Sequence, residues 1–245
     1  MTHKTRGVVL RNIKYGETSL VVTIFTQLFG IQTYMVNGVR TSKQSAAKAQ
    51  YFQPAAILEL VVYHHPAKQM HRIKEFSWAL IYQELMNNVV KNSIAAFMVE
   101  LLQKCLKQPE ANNDLFGFFQ DALLKLDEAG NTVTANFALF MALHLPYFLG
   151  FRISDNYNNI NAILDLEEGR FVSIQPTHRH FIADEKARLT AQLLKVMQPS
   201  ELENFKLNQE LRRSLLLQYL EYYALHLPEF GQMKTLAVLH EVLGP

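Results

Sequence analysis

The sequence of 245 residues contains a single cysteine, Cys105, and this scarcity excludes two kinds of site. One thiol cannot form an internal disulfide, and it cannot supply the ligand set of a cysteine-based zinc site. We therefore expect Cys105 to be a buried packing residue between Leu101 and Leu106 on the apolar face of a helix. The low cysteine content also suits a reducing compartment.

Motifs of catalysis are missing as well. The sequence has no glycine-rich phosphate-binding loop, no nucleophile elbow and no H-E-x-x-H motif. Asp165, Glu167 and Glu168 are close enough in sequence to suggest paired catalytic acids, but we expect them in a solvated surface turn. The sequence thus predicts a protein that is not an enzyme.

Two groups of histidines resemble metal ligands without meeting the requirements of a metal site. His64, His65 and His71 form one group, and His178 with His180 forms the other. Neither group has a carboxylate or cysteine at ligand spacing, and a metal site needs its full number of ligands. We expect no metal and no cofactor.

Segments that would direct the chain to a membrane are also scarce. The first sixteen residues contain no sustained apolar stretch before Arg11, so we expect no secretory signal and a cytoplasmic protein. Residues 130–151 carry no charge and are long enough to span a bilayer. Their polar residues would be costly in lipid, whereas a helix that is apolar all round is typical of a domain's centre. We expect a buried central helix and no membrane association.

What the sequence does contain is an unequal distribution of charge. Residues 1–80 hold ten basic and three acidic residues, a net charge of +7, whereas the other 165 residues hold fourteen basic and nineteen acidic residues, a net charge of −5. An inert protein surface normally mixes both signs. The asymmetry therefore favours a nucleic-acid-binding N-terminal module attached to a region with another role.

The basic part of the chain has the pattern of a small β-barrel. Segments rich in β-branched and aromatic residues occupy residues 5–14, 18–27, 31–36, 51–65 and 70–78. Turn residues Gly16 and Gly30 separate the first three, and the turn pair Asn37-Gly38 follows the third. No helix-length pattern interrupts them. Five short strands without an intervening helix predict a five-stranded OB-fold barrel as a domain of residues 1–79. This fold binds single strands through a strand face and its loops.

From residue 79 onward the apolar period changes from two to about 3.6, which indicates a mostly α-helical C-terminal domain of residues 80–245. Apolar faces at 80–90 and 94–106 predict two helices, and further helices are expected at 115–126, 130–151, 183–197, 208–226 and 233–243, with Pro146 kinking or ending the central one. Residues 152–180 break the pattern and predict a small β-hairpin insertion. The predicted fold class is therefore α+β.

The N-terminal segment from Arg6 to Arg40 also resembles the start of the RecO recombination-mediator family. The matching positions are Arg11, Tyr15, Gly16, Glu17, Thr23, Phe25, Thr26, Gly30, Gly38 and Arg40. The resemblance is specific over the first 80 residues and rests on the number and order of helices over the rest.

This resemblance implies both a fold and a function. It implies an N-terminal OB-fold joined to a helical domain. It also implies binding of single- and double-stranded DNA, annealing of complementary strands, and cooperation with RecR to load RecA on gaps coated by single-strand-binding protein. Many relatives carry a four-cysteine zinc site near residues 152–180, which this chain cannot form. Packing must hold the hairpin instead, and the candidates are Phe151, Ile163, Leu164, Phe171 and Ile174.

Candidate DNA-binding residues follow from the physics of a basic barrel. Lysine and arginine neutralise phosphates and release counterions, and exposed aromatic rings stack on unpaired bases. The candidates for phosphate contacts are Arg6, Arg11, Lys14, Arg40, Lys43, Lys48, Arg72 and Lys74, and those for stacking are Tyr15 and Tyr34. Taken singly, each tyrosine is more often a core residue in a small barrel.

The helical part is expected to bind a protein. The tail of single-strand-binding protein is acidic and apolar, and the family resemblance places its docking site in the C-terminal domain. Arg212, Arg213 and Lys234 are candidates for the basic rim of an apolar groove. Two other interpretations stay open: a helical scaffold whose barrel binds RNA or a protein, and an enzyme with an unrecognised cleft.

Overall fold

The computed structural model describes residues 1–39 and 48–243. The chain divides into two compact units. The barrel unit comprises residues 1–83 and 106–124, and the helical unit comprises residues 84–105 and 125–245. The predicted α+β class, with an N-terminal five-stranded barrel followed by a helical region, is confirmed. The predicted domain boundary at residue 79 stays a prediction.

Five strands form the barrel, with bounds close to those expected from the sequence. They are β1 (Thr2–Tyr15), β2 (Ser19–Thr26), β3 (Gly30–Val36), β4 (Ile57–Tyr63) and β5 (Met70–Trp78). The strand order is β1-β2-β3-β5-β4, and β1 also pairs with β4 to close the barrel. The β3–β5 pair is parallel and the other pairs are antiparallel. This is the five-stranded OB topology.

Alternate side chains of the strands fill the barrel. Val22 and Ile24 of β2, with Leu58, Leu60 and Val62 of β4, are at most 2% exposed. A 3-10 turn, Gln50–Phe52, precedes β4, and the buried Phe52 accepts a hydrogen bond at its carbonyl from Asn12 Nδ2 at 2.7 Å. The interior of the barrel is therefore a packed core.

The helices of the described chain follow the barrel strands. They are α1 (Val89–Cys105), α2 (Asn113–Glu128), α3 (Asn131–Phe148), α4 (Asp184–Leu194), α5 (Gln209–His226) and α6 (Thr235–Val242). The part of α2 that belongs to the barrel unit covers the outer side of β2, where the rings of Phe25 and Phe116 lie 5.5 Å apart.

The start of β3 requires a glycine for two reasons. Gly30 has a φ of +63°, and an added Cβ would lie 2.1 Å from the carbonyl oxygen of Glu110. A side chain would therefore be strained by the backbone conformation and would also collide with main-chain atoms. Gly30 thus lets the segment before α2 lie directly against the barrel.

The uncharged helix α3 lies at the centre of the helical unit, as predicted. Twelve of its eighteen residues are buried, and it packs against α1, α4 and α5. Within the unit, the buried Asn136 donates a hydrogen bond from Nδ2 to the carbonyl of Phe205 at 2.8 Å. α3 ends two residues after Pro146. Among the described residues, the structure has no helix with the length and apolar character that crossing a bilayer requires. Cys105 is buried at the end of α1, as expected.

The predicted β-hairpin is present and has a third strand. Strands β6 (Ile163–Asp165), β7 (Arg170–Val172) and β8 (Phe181–Ile182) form a small antiparallel sheet in the order β7-β6-β8. Leu164 and Phe171 are buried in it. Asn156 fixes one edge, because its amide nitrogen donates to the Phe171 carbonyl at 2.8 Å and its amide oxygen accepts from the Phe171 N–H at 2.9 Å.

Two expectations about this region are wrong. Ile174 is 81% exposed and does not hold the sheet. Asp165 is buried instead of solvated, because its carboxylate accepts hydrogen bonds from the main-chain N–H groups of Glu167 and Glu168 and so closes the turn. Glu167 and Glu168 are exposed as expected.

The helix predicted at residues 80–90 is also wrong, because this segment is extended and then forms a turn. In the barrel unit, the N–H of Ala79 donates to the Ile57 carbonyl at 3.0 Å and continues the strand pairing. In the helical unit, Asp127 Oδ1 accepts from the N–H groups of Glu84 and Leu85 at 2.9 and 2.7 Å. These hydrogen bonds replace those that a helix would make.

A buried lysine completes the contacts of this turn. Lys91 is 4% exposed, and its Nζ lies 2.7 Å from both Glu84 Oε2 and the carbonyl oxygen of Asp127. The ammonium group thus joins the turn, the start of α1 and the end of α2 within the helical unit. A buried cation is tolerated only when such partners replace its water.

We expect Lys91→Met to lower the free energy of unfolding by about 1 to 3 kcal/mol, because it leaves the buried Asp127 carbonyl without this donor. The matched control is Lys125→Met, since Lys125 pairs with Glu128 at 3.0 Å on the surface and such a pair contributes about 0 to 1 kcal/mol. Urea unfolding followed by circular dichroism measures both. Equal effects of the two changes would contradict a structural role for Lys91.

Candidate nucleic-acid interface

One side of the barrel presents an uncovered strand surface. Cross-strand partners lie on the same side of a sheet, so the register places one outward row across Ile13, Val21, Met35, Arg72 and Tyr63. A second row contains Arg11, Thr23, Thr33 and Met70. We call these two rows, together with Tyr15, the strand face.

A β-bulge in β1 decides which residues reach the strand face. Val9 pairs with Ile24, and the next pair is Arg11 with Thr23, so Leu10 is an extra residue in β1. Val9 lies on the inner side with the buried Ile24, and without the extra residue Arg11 would point inward too. The bulge reverses the alternation and turns Arg11, Ile13 and Tyr15 outward.

Of the predicted phosphate-binding cations, Arg11 and Arg72 lie on the strand face. Both are exposed, and neither forms an ion pair with an acidic side chain of residues 1–39 or 48–243. Lys14 is exposed but alternates with Ile13 and Tyr15, so it lies on the other side of β1. The strand face therefore carries two cations whose charge no neighbouring acid offsets.

The remaining predicted cations lie elsewhere. Arg6 Nε lies 2.6 Å from Glu59 Oε1, its cross-strand neighbour in β4, and Lys74 Nζ lies 3.1 Å from Glu75 Oε1. Lys48 is exposed just before the 3-10 turn. Two further candidates, Arg40 and Lys43, lie outside the described residues.

The two predicted stacking tyrosines differ in location. Tyr15 is 56% exposed at the end of β1 and can meet a base. Tyr34 is fully buried in the barrel, where burial raises the pKa of its phenol, so the prediction that it stacks on DNA is wrong. The reason is the alternation of β3, which turns Met35 outward and Tyr34 inward.

Sequence reasoning missed three large side chains that the strand face exposes. Tyr63 is 49% exposed, Ile13 is 45% exposed and Met70 is 42% exposed. Tyr63 and Arg72 are direct cross-strand neighbours in β4 and β5. The alternation of β4, in which Leu58, Leu60 and Val62 point inward, was the signal that could have identified Tyr63.

The strand face continues into an open cleft at the β4–β5 loop, with a volume of about 580 Å³. The cleft is lined by Met1, Met35, Tyr63, His64, His65, Lys68, Met70, His71 and Arg72, and we call it the histidine cleft. Its lining contains no acidic residue. Among the described residues, no group of three or more His, Cys, Asp or Glu side chains has a metal-binding arrangement.

The helical unit contains a narrow apolar pocket with a basic rim. It is lined by Ala135, Ala138, Leu139, Gln209, Arg212, Arg213, Leu216, Leu239, His240 and Leu243, from α3, α5 and α6, and we call it the α3–α5–α6 pocket. Arg212 is half-buried and donates a hydrogen bond to the Leu207 carbonyl, and burial lowers the pKa of its guanidinium. Arg213 is exposed at the rim.

Lys234 is not part of the α3–α5–α6 pocket. Its main-chain N–H donates to Glu100 Oε1 at 2.8 Å, next to Thr235, whose N–H donates to Glu100 Oε2 at 2.8 Å. Glu100 thus caps the start of α6. Burial opposes ionisation of Glu100, but these hydrogen bonds and Lys104 outweigh it and lower the pKa of its carboxyl group. His240 takes the place at the rim that we expected Lys234 to fill.

The fold and the strand face place the chain among proteins that combine an OB barrel with a helical domain. Family comparison makes the class specific. Residues 1–82 match the family model described as Recombination protein O N terminal, and residues 86–236 match Recombination protein O C terminal.

Individual relatives agree along the whole length. The chain is 31% identical over 242 residues to a DNA repair protein RecO of Azobacteroides pseudotrichonymphae, covering 99% of both chains. It is 31% identical over 244 residues to one of Phocaeicola vulgatus, covering 100% of both, and 32% identical over 243 residues to one of Bacteroides fragilis, covering 99% of both. The chain belongs to the RecO family of DNA repair proteins.

Proposed function

We propose that this protein is a cytoplasmic, non-enzymatic mediator of DNA repair and homologous recombination. It binds single- and double-stranded DNA on the barrel and anneals complementary strands. With RecR, it helps to load RecA on gaps that single-strand-binding protein covers. The observation that carries the proposal is the strand face, where unpaired cations stand beside exposed aromatic and apolar side chains.

The chemistry of the strand face suits unpaired DNA. Arg11 and Arg72 can each neutralise a phosphate and release its counterion. Tyr15 and Tyr63 offer rings on which bases of any sequence can stack. Neighbouring strands are about 4.8 Å apart, so the row from β1 to β5 spans about 14 Å, which is room for two to three extended nucleotides.

Annealing follows from the same charge distribution. Two strands repel each other through their phosphates, and a surface that neutralises phosphates lowers this repulsion. No nucleotide hydrolysis is needed for that effect. Measurable nuclease or nucleotide-hydrolysing activity of the purified protein would contradict the proposal that it acts without catalysis.

The first test removes the two unpaired cations of the strand face. We expect Arg11→Gln with Arg72→Gln to weaken binding of single-stranded DNA. We also expect the slope of log affinity against log salt concentration to become shallower by about 1.4, because each of the two lost phosphate contacts contributes about 0.7. Fluorescence anisotropy of a labelled oligothymidylate across salt concentrations measures both quantities.

The matched control removes the same charge from another side of the barrel. Arg6→Gln with Lys74→Gln takes away two cations that Glu59 and Glu75 already pair. We expect the salt dependence of this variant to stay close to that of the wild type. If the slope of log affinity against log salt concentration falls equally in both double variants, the DNA is held by net charge and not by the strand face.

The second test concerns stacking. We expect Tyr15→Ala and Tyr63→Ala each to cost about 1 to 3 kcal/mol of binding to single-stranded DNA while leaving the salt slope unchanged, because a ring contributes no charge. Tyr34→Phe is the control, since it keeps the buried ring, and its affinity should equal that of the wild type. A loss in Tyr34→Phe as large as in Tyr15→Ala would contradict this assignment.

The third test concerns the partner protein. We propose that the α3–α5–α6 pocket takes apolar side chains of the acidic tail of single-strand-binding protein, with Arg213 beside its carboxylates. We expect Arg213→Ala to weaken binding of a labelled tail peptide about fivefold, or about 1 kcal/mol. Lys234→Ala, which removes the same charge outside the pocket, should bind like the wild type. Equal loss in both variants would exclude the pocket as the docking site.

A further inference from the structure

The histidine cleft contains a close group of imidazole rings, among them His64, His65 and His71. His64 stacks on Phe29 with ring centroids 4.0 Å apart, and His71 lies 4.5 Å from His64. His71 Nε2 is 3.0 Å from Gln32 Oε1, which fixes its ring against β3. His3 of β1 adds a fourth imidazole, 6.3 Å from His64.

The environment of these rings disfavours their protonated forms in the free protein. Burial lowers the pKa of His64, and the neighbouring His3 and His65 lower it further. Burial also lowers the pKa of His71, with added effects from His64, His65 and Lys68. Burial and the neighbouring imidazoles, with Lys68 in the case of His71, thus oppose protonation of the pair.

The same geometry would favour an anion. The fixed charges of the histidine cleft, Lys68 and Arg72, are both positive, and no lining side chain is acidic. His65 Nδ1 accepts a hydrogen bond from the Ala67 N–H at 3.3 Å, so neutral His65 carries its proton on Nε2 and can donate from there. The titratable and charged groups around the pair are the Met1 amino group, His3 on β1, Tyr34 on β3, Tyr63 on β4, His65 and Lys68 on the β4–β5 loop, and Arg72 on β5.

We propose that the histidine cleft is an anion-binding subsite that holds one phosphate group of the bound strand. The inference rests on the proposed DNA binding at the strand face, with which the cleft shares Met35, Tyr63, Met70 and Arg72. A strand that crosses the face reaches the cleft without leaving the surface. Tyr63 and Met70 supply an apolar surface for the adjoining base, which a free inorganic anion would not use.

Proton uptake is the measurable consequence. A phosphate beside His64 and His71 favours their charged forms and so raises their pKa in the complex relative to the free protein. By linkage, affinity for DNA must then rise as the pH falls from the pKa values of the complex towards the lower pKa values of the free protein. One proton taken up per strand corresponds to a tenfold change in Kd per pH unit.

The test is the Kd of a labelled oligothymidylate at constant ionic strength from about pH 8 to about pH 5.5, where histidine titrates. We expect the wild type to bind about three- to tenfold more tightly for each unit of pH decrease. We expect His64→Gln with His71→Gln to lose most of this dependence, because these are the two imidazoles that take up protons. Circular dichroism at each pH verifies that the variants remain folded, and calorimetry in two buffers of different ionisation enthalpy counts the protons directly.

The matched control is His178→Gln with His180→Gln in the helical unit, where these imidazoles face Asp165 and Glu221. This variant should keep the pH dependence of the wild type. Oligothymidylates with and without a terminal phosphate distinguish the source of the bound group. Tighter binding and a steeper pH dependence with the terminal phosphate identify a strand end, and equal behaviour identifies an internal phosphodiester.

Two outcomes separate the failure of this inference from that of the proposed function. If DNA binds with an affinity that does not change with pH, or if the His178 and His180 variant loses the dependence as well, the phosphate subsite is wrong and the strand face stands. If no single-stranded DNA binds at low salt at any pH, the proposed DNA binding fails and the subsite fails with it.

Discussion

The arrangement of the strand face depends on one extra residue in β1. This strand pairs with β4 from Thr2 to Val8 and with β2 from Gly7 to Tyr15, and the bulge at Leu10 lies within the second pairing. The bulge bends the strand and also exchanges its inner and outer sides. Gly7 and Val9 therefore face the packed interior, while Arg11 and Ile13 face outward. The position of the proposed DNA contacts is thus a result of this irregularity.

Much of the fold was readable from sequence because its signals are local. Period-two alternation and turn residues located all five barrel strands, and the absence of charge between residues 130 and 151 identified the central helix. The segment at residues 80–90 was misread because its apolar spacing fits a helix. Its main-chain groups are instead bound by Asp127, more than forty residues away in sequence. No local pattern carries such a contact.

The candidate site was only partly predictable, for a related reason. Net charge identified the barrel as the basic module, but charge alone could not distinguish Arg6, whose neighbour across the sheet is Glu59, from Arg72, whose neighbour is Tyr63. That distinction depends on register. Likewise Tyr34 and Tyr63 are both β-strand tyrosines, and only the direction of alternation in β3 and β4 separates a core ring from an exposed one. The histidine cleft joins residues from both ends of the first 72 positions, so spacing could not reveal it.

The small sheet of β6, β7 and β8 has a consequence for the conditions under which this protein keeps its shape. The contacts described for it are the buried side chains of Leu164 and Phe171 and the paired hydrogen bonds of Asn156. Oxidants that damage DNA also attack thiolates, and chelators compete for zinc. Apolar packing and amide hydrogen bonds contain neither a thiolate nor a zinc ion, so oxidants and chelators do not act on them in these ways. This sheet is therefore built from interactions that survive the chemical stress under which repair is most needed.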